Sequence, residues 1–241
     1  PEQQPRDYPS SLIAWDPINQ KEAWSIPQDD FWNGGTLTTA GNLLFQGRTD
    51  GMLLAYNATS GDIVWEFDAG LGISAPPITY KIDGRQYIVV LVGWGGIYAS
   101  TGGQDAYDKG WAYGVHQRRL ISFSLDGNAK MPALPEPFFP QPIILKDFEI
   151  DEALANLGAE QYYANRCSGC HGGGGISGGT APDLRASVIC TDKEAFTTVV
   201  KEGSKIEKGM PQYKNLTDEK IAGLMLFIRY LANSSIAEDE L

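Results

Sequence analysis

Cys167, Cys170 and His171 stand in the stretch YANRCSGCHGGGG, residues 163–175. Cys-x-x-Cys-His is the spacing of covalent c-type haem attachment. Two intervening residues place both sulfurs along one edge of a porphyrin, where each bonds a vinyl group. The adjacent imidazole then reaches the iron from the proximal side. The rival chemistry is a zinc or dithiol redox site. Zinc needs two further ligands, and the other histidine, His116, lies in a β-like region. The motif therefore reads as haem c, with Cys167 and Cys170 as thioethers and His171 as an axial ligand.

The sixth iron position calls for Met or His. Among four methionines, Met210 sits in EKGMPQY, a loop bounded by Gly and Pro, and is the expected second axial ligand. Met225 falls on the apolar stripe of a helix, and Met52 and Met131 lie outside this region. A thioether ligand raises the reduction potential, which suits an electron acceptor. The glycines of GGGGISGGTAPDL either let the backbone pass close to the haem or form a flexible surface loop. Arg185 either meets a haem propionate or is solvated. Cys190, outside the motif, reads as a small buried apolar residue rather than a bridge to another chain.

These residues need helices to hold them. DEALANLGAEQYYANR has an acidic start, with Leu154, Leu157 and Tyr163 loosely on one face. Thr191-Asp-Lys-Glu194 is a capping-box signal for a second helix, and Gly203 is its expected stop. Thr217 is placed to cap a last helix, whose Ile221, Leu224, Met225, Ile228 and Leu231 recur at helical spacing. Three helices with the haem motif after the first resemble a class I cytochrome c. In that family a Pro-containing segment backs the proximal histidine through a carbonyl, and Pro182 fits the place.

The first half has a different period. LIAWDPINQKEAW at residues 12–24 recurs as LLAYNATSGDIVW at 53–65, an offset of 41 residues. A third copy opens as LISFSLDGN at Leu120, after an added insertion, and lacks the closing Trp. Short strands at a period near 40 indicate β-propeller blades. Turn signals agree: Asp50-Gly51 follows one apolar run, and Asp83-Gly84 sits inside ITYKIDGRQYIVVLVG. Trp24 and Trp65, which close the repeats, are expected between neighbouring sheets. About three blades are present, fewer than the four or so needed to close a ring. Alone they would leave sheet faces and edges bare to water.

MPALPEPFFPQP, residues 131–142, holds five prolines and reads as an extended, semi-rigid linker. Phe138 and Phe139 are expected to pin it to a domain surface. The organisation is multidomain: an all-β partial propeller over 1–128, a Pro-rich linker over 129–149, and an all-α class I cytochrome c domain over 150–241. A net charge of −11 argues against nucleic acid and anionic membrane surfaces as partners. No apolar run approaches the ~18 residues of a membrane span. The chain opens on Pro1 rather than Met, so it is expected to be processed, trimmed or one piece of something larger. No Ser/His/Asp triad or P-loop is found, and the glycine clusters lack dinucleotide spacing.

The β half, WNGGTLTTAGNLLFQGRTDGMLLAYNATSGDIVWEFDAG with ITYKIDGRQYIVVLVGWGG, resembles the last blades of pyrroloquinoline quinone (PQQ)-dependent alcohol dehydrogenases. A cytochrome after a Pro-rich linker narrows the resemblance to the quinohaemoprotein type, over nearly the whole chain. The resemblance implies an eight-bladed propeller with PQQ and Ca²⁺ on its axis, alcohol oxidised there, and electrons passed singly to the haem. It implies a periplasmic enzyme whose partners are an N-terminal propeller portion or subunit and a soluble acceptor such as a cytochrome or copper protein. The family's catalytic Asp, Ca²⁺ ligands and vicinal disulfide belong to earlier blades, so no catalytic residue is assigned here and the chain alone is expected to be inactive.

Of the PQQ contacts, Trp32 matches the tryptophan at the quinone rim, with Asn33 beside it, and Val92 and Gly93 match a backbone stretch near the cofactor. The alternatives are a core aromatic for Trp32 and a strand end for Val92 and Gly93. In the insertion, Trp94 and Trp111 either wall the substrate funnel or belong to a purely structural loop. The competing function is a non-enzymatic electron carrier, a cytochrome c with a β docking module. A scaffolding propeller fragment is a weaker third, since it has no use for a haem motif.

Overall fold

The computed structural model describes residues 10–30, 32–93, 95–112, 116–146, 148–177 and 181–239. They form two compact units. The blade unit comprises Pro1–Gly96, Asp108–Trp111 and His116–Glu136. The helical unit comprises Ile97–Tyr107, Ala112–Val115 and Pro137–Leu241. Residues 97–107, which belong by sequence to the blades, thus pack with the helices.

The blade unit holds three antiparallel sheets. The first pairs β1 (Ser10–Asp16) with β2 (Lys21–Gln28). The second runs β3 (Thr36–Thr38), β4 (Leu43–Gly47), β5 (Met52–Asn57), β6 (Ile63–Asp68) in chain order. The third joins β7 (Ile78–Ile82), β8 (Arg85–Val92) and β9 (Arg119–Phe123). Turn chemistry sets the hairpins. Asp83 and Gly84 both take positive φ (50° and 79°), the left-handed pair that a two-residue hairpin needs to match strand twist.

The sequence repeat becomes a packing rule. Leu12, Leu53 and Leu120 are equivalent, and each points toward the following blade. Leu12 and Leu53 are 9% and 0% exposed because a sheet covers them, whereas Leu120 is 69% exposed. The next residue of each copy points the other way: Leu54 and Ile121 are 3% and 4% exposed, but Ile13 is 41%. The middle sheet is covered on both faces, and each outer sheet keeps one bare apolar face. On the third sheet that face continues through Ile78, Tyr80, Ile82 and Leu91, all exposed. Trp24 and Trp65 bridge successive sheets: Trp24 donates its indole N–H to the Ala58 carbonyl (3.1 Å), and Trp65 meets Phe123 edge-on at 5.5 Å.

The Pro-rich stretch contains no helix or strand. Arg119 donates to the Pro132 carbonyl at 2.6 Å, and Leu134 packs on the blade core. Farther along, Phe139 meets Tyr107 edge-on at 5.5 Å. Phe138, expected as a second anchor, is exposed instead; Leu134 takes that part.

In the helical unit, α1 (Tyr98–Thr101) and α2 (Gln104–Asp108) form the inserted arm. The remaining helices are α3 (Glu152–Ala164), α4 (Ser168–His171), α5 (Lys193–Val200) and α6 (Asp218–Asp239). Asp151 caps α3, accepting from the Leu154 N–H, and Thr217 accepts from the Lys220 N–H at the start of α6. The cap of α5 is Asp192, which accepts from Ala195 N–H at 2.7 Å. Thr191, the sequence-based choice, closes the preceding turn onto the Val188 carbonyl. The buried face of α3 is Ala155, Gly158 and Tyr162 rather than Leu154, Leu157 and Tyr163. The cause is a close crossing with α6, where a Cβ on Gly158 would run into the Gly223 backbone. Tyr162, Phe196, Leu216, Ile221, Leu224, Phe227 and Ile228 build the core, and Cys190 is buried among them. No described helix is long and apolar enough to cross a membrane.

Candidate functional site

The haem motif is one tight turn after α3. Cys167 occupies the N-cap position of α4, and the His171 N–H returns to the Cys167 carbonyl at 2.9 Å. Neither motif cysteine is in a disulfide. Burial pushes the Cys167 thiol up to about 11. His171 is buried, and its Nδ1 lies 2.9 Å from the Pro182 carbonyl oxygen. A carbonyl only accepts, so Nδ1 carries the proton and Nε2 is left with its lone pair. Burial lowers the imidazole pKa, opposed by the Pro182 bond and by Asp183. This is the protonation state an iron ligand needs. No three His, Cys, Asp or Glu side chains converge as a metal cage among the described residues. The donor set therefore fits a haem better than a zinc ion.

The loop after His171 is shaped by glycine. Gly172 has φ 75°, and a Cβ there would strike the Ile176 carbonyl. Tyr162 donates its hydroxyl to the Gly172 carbonyl at 2.7 Å. Ser177 Oγ donates to the Cys170 carbonyl at 3.1 Å, while the Ser177 carbonyl accepts from Tyr107 at 3.0 Å.

Met210 follows Gly209, which has φ 86°. Its side chain is half-buried and borders the same apolar cluster as Cys167. The loop carrying it is fixed by its neighbours. Gln212 donates to the carbonyls of Lys201 and Glu202, both at 3.0 Å, and Tyr213 donates to the Asn165 carbonyl at 3.0 Å. Arg185 is engaged by the buried Asp183 at 2.8 Å. Arg229, buried on α6, donates to the carbonyls of Ile143, Leu184 and Arg185.

Sequence reasoning passed over Tyr107, Tyr162, Ser177, Asp183, Gln212, Tyr213 and Arg229. All but Asp183 donate to backbone carbonyls, which leave no sequence pattern. The Asp183-x-Arg185 spacing was the one readable signal.

In the blade unit, Trp32 is exposed, and its backbone N–H donates to Asp30 Oδ1 at 3.2 Å. Asn33 donates to the Asp30 carbonyl at 2.5 Å and accepts from the Thr49 N–H at 3.2 Å. Val92 is buried in the blade core, and Gly93 (φ 80°) donates to the Gly72 carbonyl at 3.0 Å. Gly72 in turn donates to the Lys109 carbonyl at 2.8 Å, and a Cβ on it would press on the Thr49 carbonyl. Asn33 and Gly93 therefore belong to one end of the sheets, gathered on Thr49 and Gly72. Asp30 pairs with Lys109 at 3.0 Å in that region. Burial works against its ionisation, but hydrogen bonds from Lys109 and Trp32 outweigh it and hold the carboxyl below its usual range. Trp111 is wholly buried against Gly72 and Gly95 and presents no surface to a substrate. Trp94 lies outside the described residues.

Two family profiles match the chain. "Glucose/ethanol/alcohol dehydrogenase, beta-propeller domain" covers residues 13–88, and "Cytochrome C oxidase, cbb3-type, subunit III" covers residues 154–228. Among curated relatives, quinohemoprotein alcohol dehydrogenase ADH IIB of Pseudomonas putida is 40% identical over 90% of this chain and 31% of its own length. The dehydrogenase subunit of the alcohol dehydrogenase (quinone) of Gluconobacter oxydans is 40% identical over 94% of this chain and 30% of its own. The solved structure of ADHIIG from P. putida superposes with a TM-score of 0.77 at 36% identity, over 95% of this chain and 33% of that one. The chain thus spans about a third of the length of the relatives it matches.

Proposed function

We propose that this chain, which belongs to the quinohaemoprotein alcohol dehydrogenases, is the electron-exit portion of such an enzyme, its C-terminal blades and haem c domain. When bound, PQQ with Ca²⁺ supplies the two-electron oxidation of an alcohol, and haem c supplies single-electron transfer to an external acceptor.

Cys167 and Cys170 would hold the haem through thioethers, and His171 Nε2 and the Met210 sulfur would hold its iron. The observation that carries this reading is the buried His171, its Nδ1 tied to Pro182 and its Nε2 left with a lone pair. Asp183 draws Arg185 away from solvent, so any contact from Arg185 to a propionate would come from an already paired guanidinium. On the blade side, Trp32, Asn33, Val92 and Gly93 would lie along the quinone rim. The ties of Asn33 to Asp30 and Thr49 support a fixed rim. No residue of this chain is assigned as the catalytic base.

The bare faces at Ile13 and Leu120 favour this reading over an electron carrier with a self-contained β docking module. Further blades of the same dehydrogenase would cover them. The proposed setting is the periplasm, with an alcohol as substrate and a small cytochrome or copper protein as acceptor.

The test expresses the chain alone with haem-attachment machinery. One covalent haem per chain is expected by mass, with no alcohol-dependent dye reduction even when PQQ and Ca²⁺ are added. Met210→Ala should retain the haem and lose the weak near-infrared Met–iron absorption. A chain without covalent haem, alcohol turnover by the pure chain, or survival of that band each refutes the corresponding part.

A further inference from the structure

Resting on the haem c reading above, we propose that Tyr107 is a positioning residue for the haem-attachment loop, acting from an arm that the blade sequence extends onto the helical unit. In the middle sheet, β4 and β5 are joined by residues 48–51 alone. The equivalent link between β8 and β9 runs over residues 93–118 and contains α1 and α2. Its first part, Ile97–Tyr107, is built into the helical unit.

There the arm runs backbone to backbone along the loop that follows His171. A Cβ on Gly103 would come within 3.2 Å of the Gly173 carbonyl, and one on Gly172 within 3.1 Å of the Ser100 carbonyl. That loop, GGGGIS at residues 172–177, has little of its own to hold it. Gly172, Gly174 and Gly175 all take positive φ, and no side chain precedes Ile176. Glycine loses more conformational freedom on ordering than any other residue, so such a loop depends on outside anchors.

Its far end is anchored at Ser177. The Tyr107 hydroxyl donates to the Ser177 carbonyl at 3.0 Å, and Ser177 Oγ donates to the Cys170 carbonyl at 3.1 Å. Two hydrogen bonds thus lead from the arm to the second cysteine of the motif. Tyr107 is buried, with its ring edge-on to Phe139. Burial raises its phenol to about 12, so the hydroxyl remains a donor throughout the neutral range.

The experiment uses the whole chain with haem attached. Tyr107→Phe keeps the ring on Phe139 and removes only the donor. Losing one buried hydrogen bond should speed hydrogen exchange of the amides in 172–177 by about fivefold. A loosened loop should leave the haem it carries more exposed and lower its midpoint potential, because exposure favours the oxidised, charged state. Ser177→Ala severs the second link and should lower the potential as well. Unchanged exchange in Tyr107→Phe overturns the anchor. An unchanged potential in both variants overturns its bearing on the haem. If Tyr107→Phe fails to fold, the potential of Ser177→Ala decides. If the wild-type chain carries no covalent haem, the proposed function falls, while exchange in the haem-free chain still tests the anchor.

Discussion

Leu53 and Leu120 occupy the same place in the blade repeat; a following sheet covers Leu53, whereas Leu120 has none over it and stands on the edge strand β9. Truncating each to Ala therefore measures what that sheet contributes. Leu53 is fully enclosed, so Leu53→Ala loses the transfer energy of its side chain and leaves a cavity, about 2–5 kcal/mol. Leu120 is 69% exposed, so Leu120→Ala in this chain alone should cost only about 0.5 kcal/mol or less. If further blades cover that face, as proposed, the cost should rise by about 1.5–3 kcal/mol, the value of burying one leucine side chain. All six tryptophans lie between Trp15 and Trp111, so urea unfolding followed by tryptophan fluorescence reports on the blades rather than the helical core. Equal losses for the two variants in the isolated chain would refute the repeat equivalence. A Leu120→Ala cost that stays small in the proposed assembly with further blades would refute the reading of that face as a blade interface.

Gly158→Ala should destabilise the helical unit by more than the ~1–3 kcal/mol of ordinary overpacking, because the added methyl meets the Gly223 backbone rather than a movable side chain; helical circular dichroism during thermal unfolding checks it. For the blades, acid is the lever. Asp30 has a depressed pKa, so the stability from its bonds to Lys109 and Trp32 is present above its ordinary value of 3.8 and is lost as pH falls through the lower folded value. Asp30→Asn should flatten the pH dependence of the blade transition in that acid window and leave the helical transition unmoved.

The sequence was legible where the physics is local. Covalent haem attachment needs two thiols and an imidazole at fixed separation, so the attachment proposed at Cys167–His171 can be read from five residues. The Asp83-Gly84 hairpin is readable because two consecutive left-handed residues restrict composition so strongly. The repeat was readable because each copy solves the same sheet-on-sheet problem. Legibility failed where packing depends on small residues. The sequence points to Leu154, Leu157 and Tyr163 as the α3 face, but a close crossing selects Ala155 and Gly158, which carry almost no hydropathy signal. At α5, Thr191 and Asp192 are both good caps, and the preceding turn used Thr191 first. Nothing in residues 97–107 announces that they belong to the helical unit.

The orientation of His171 shows why a contiguous motif is not a complete site. Its ring is set by the Pro182 carbonyl, and that carbonyl is only as fixed as the segment behind it. The segment is held from two directions. Asp183, buried beside Pro182, is satisfied by Arg185, so its charge does not pull the chain toward water. Arg229 on α6 then donates to the Leu184 carbonyl at 2.8 Å and to the Arg185 carbonyl at 3.2 Å, and reaches Ile143 at 3.1 Å. One guanidinium midway along the last helix thereby ties the Pro182 segment and the incoming linker to the helical core. A lysine there would keep the charge but lose the planar fork that serves several carbonyls at once. The two sulfurs and the imidazole are supplied by neighbours in sequence, but the angle at which that imidazole is offered is set by the Pro182 carbonyl, on a segment that α6 helps to hold.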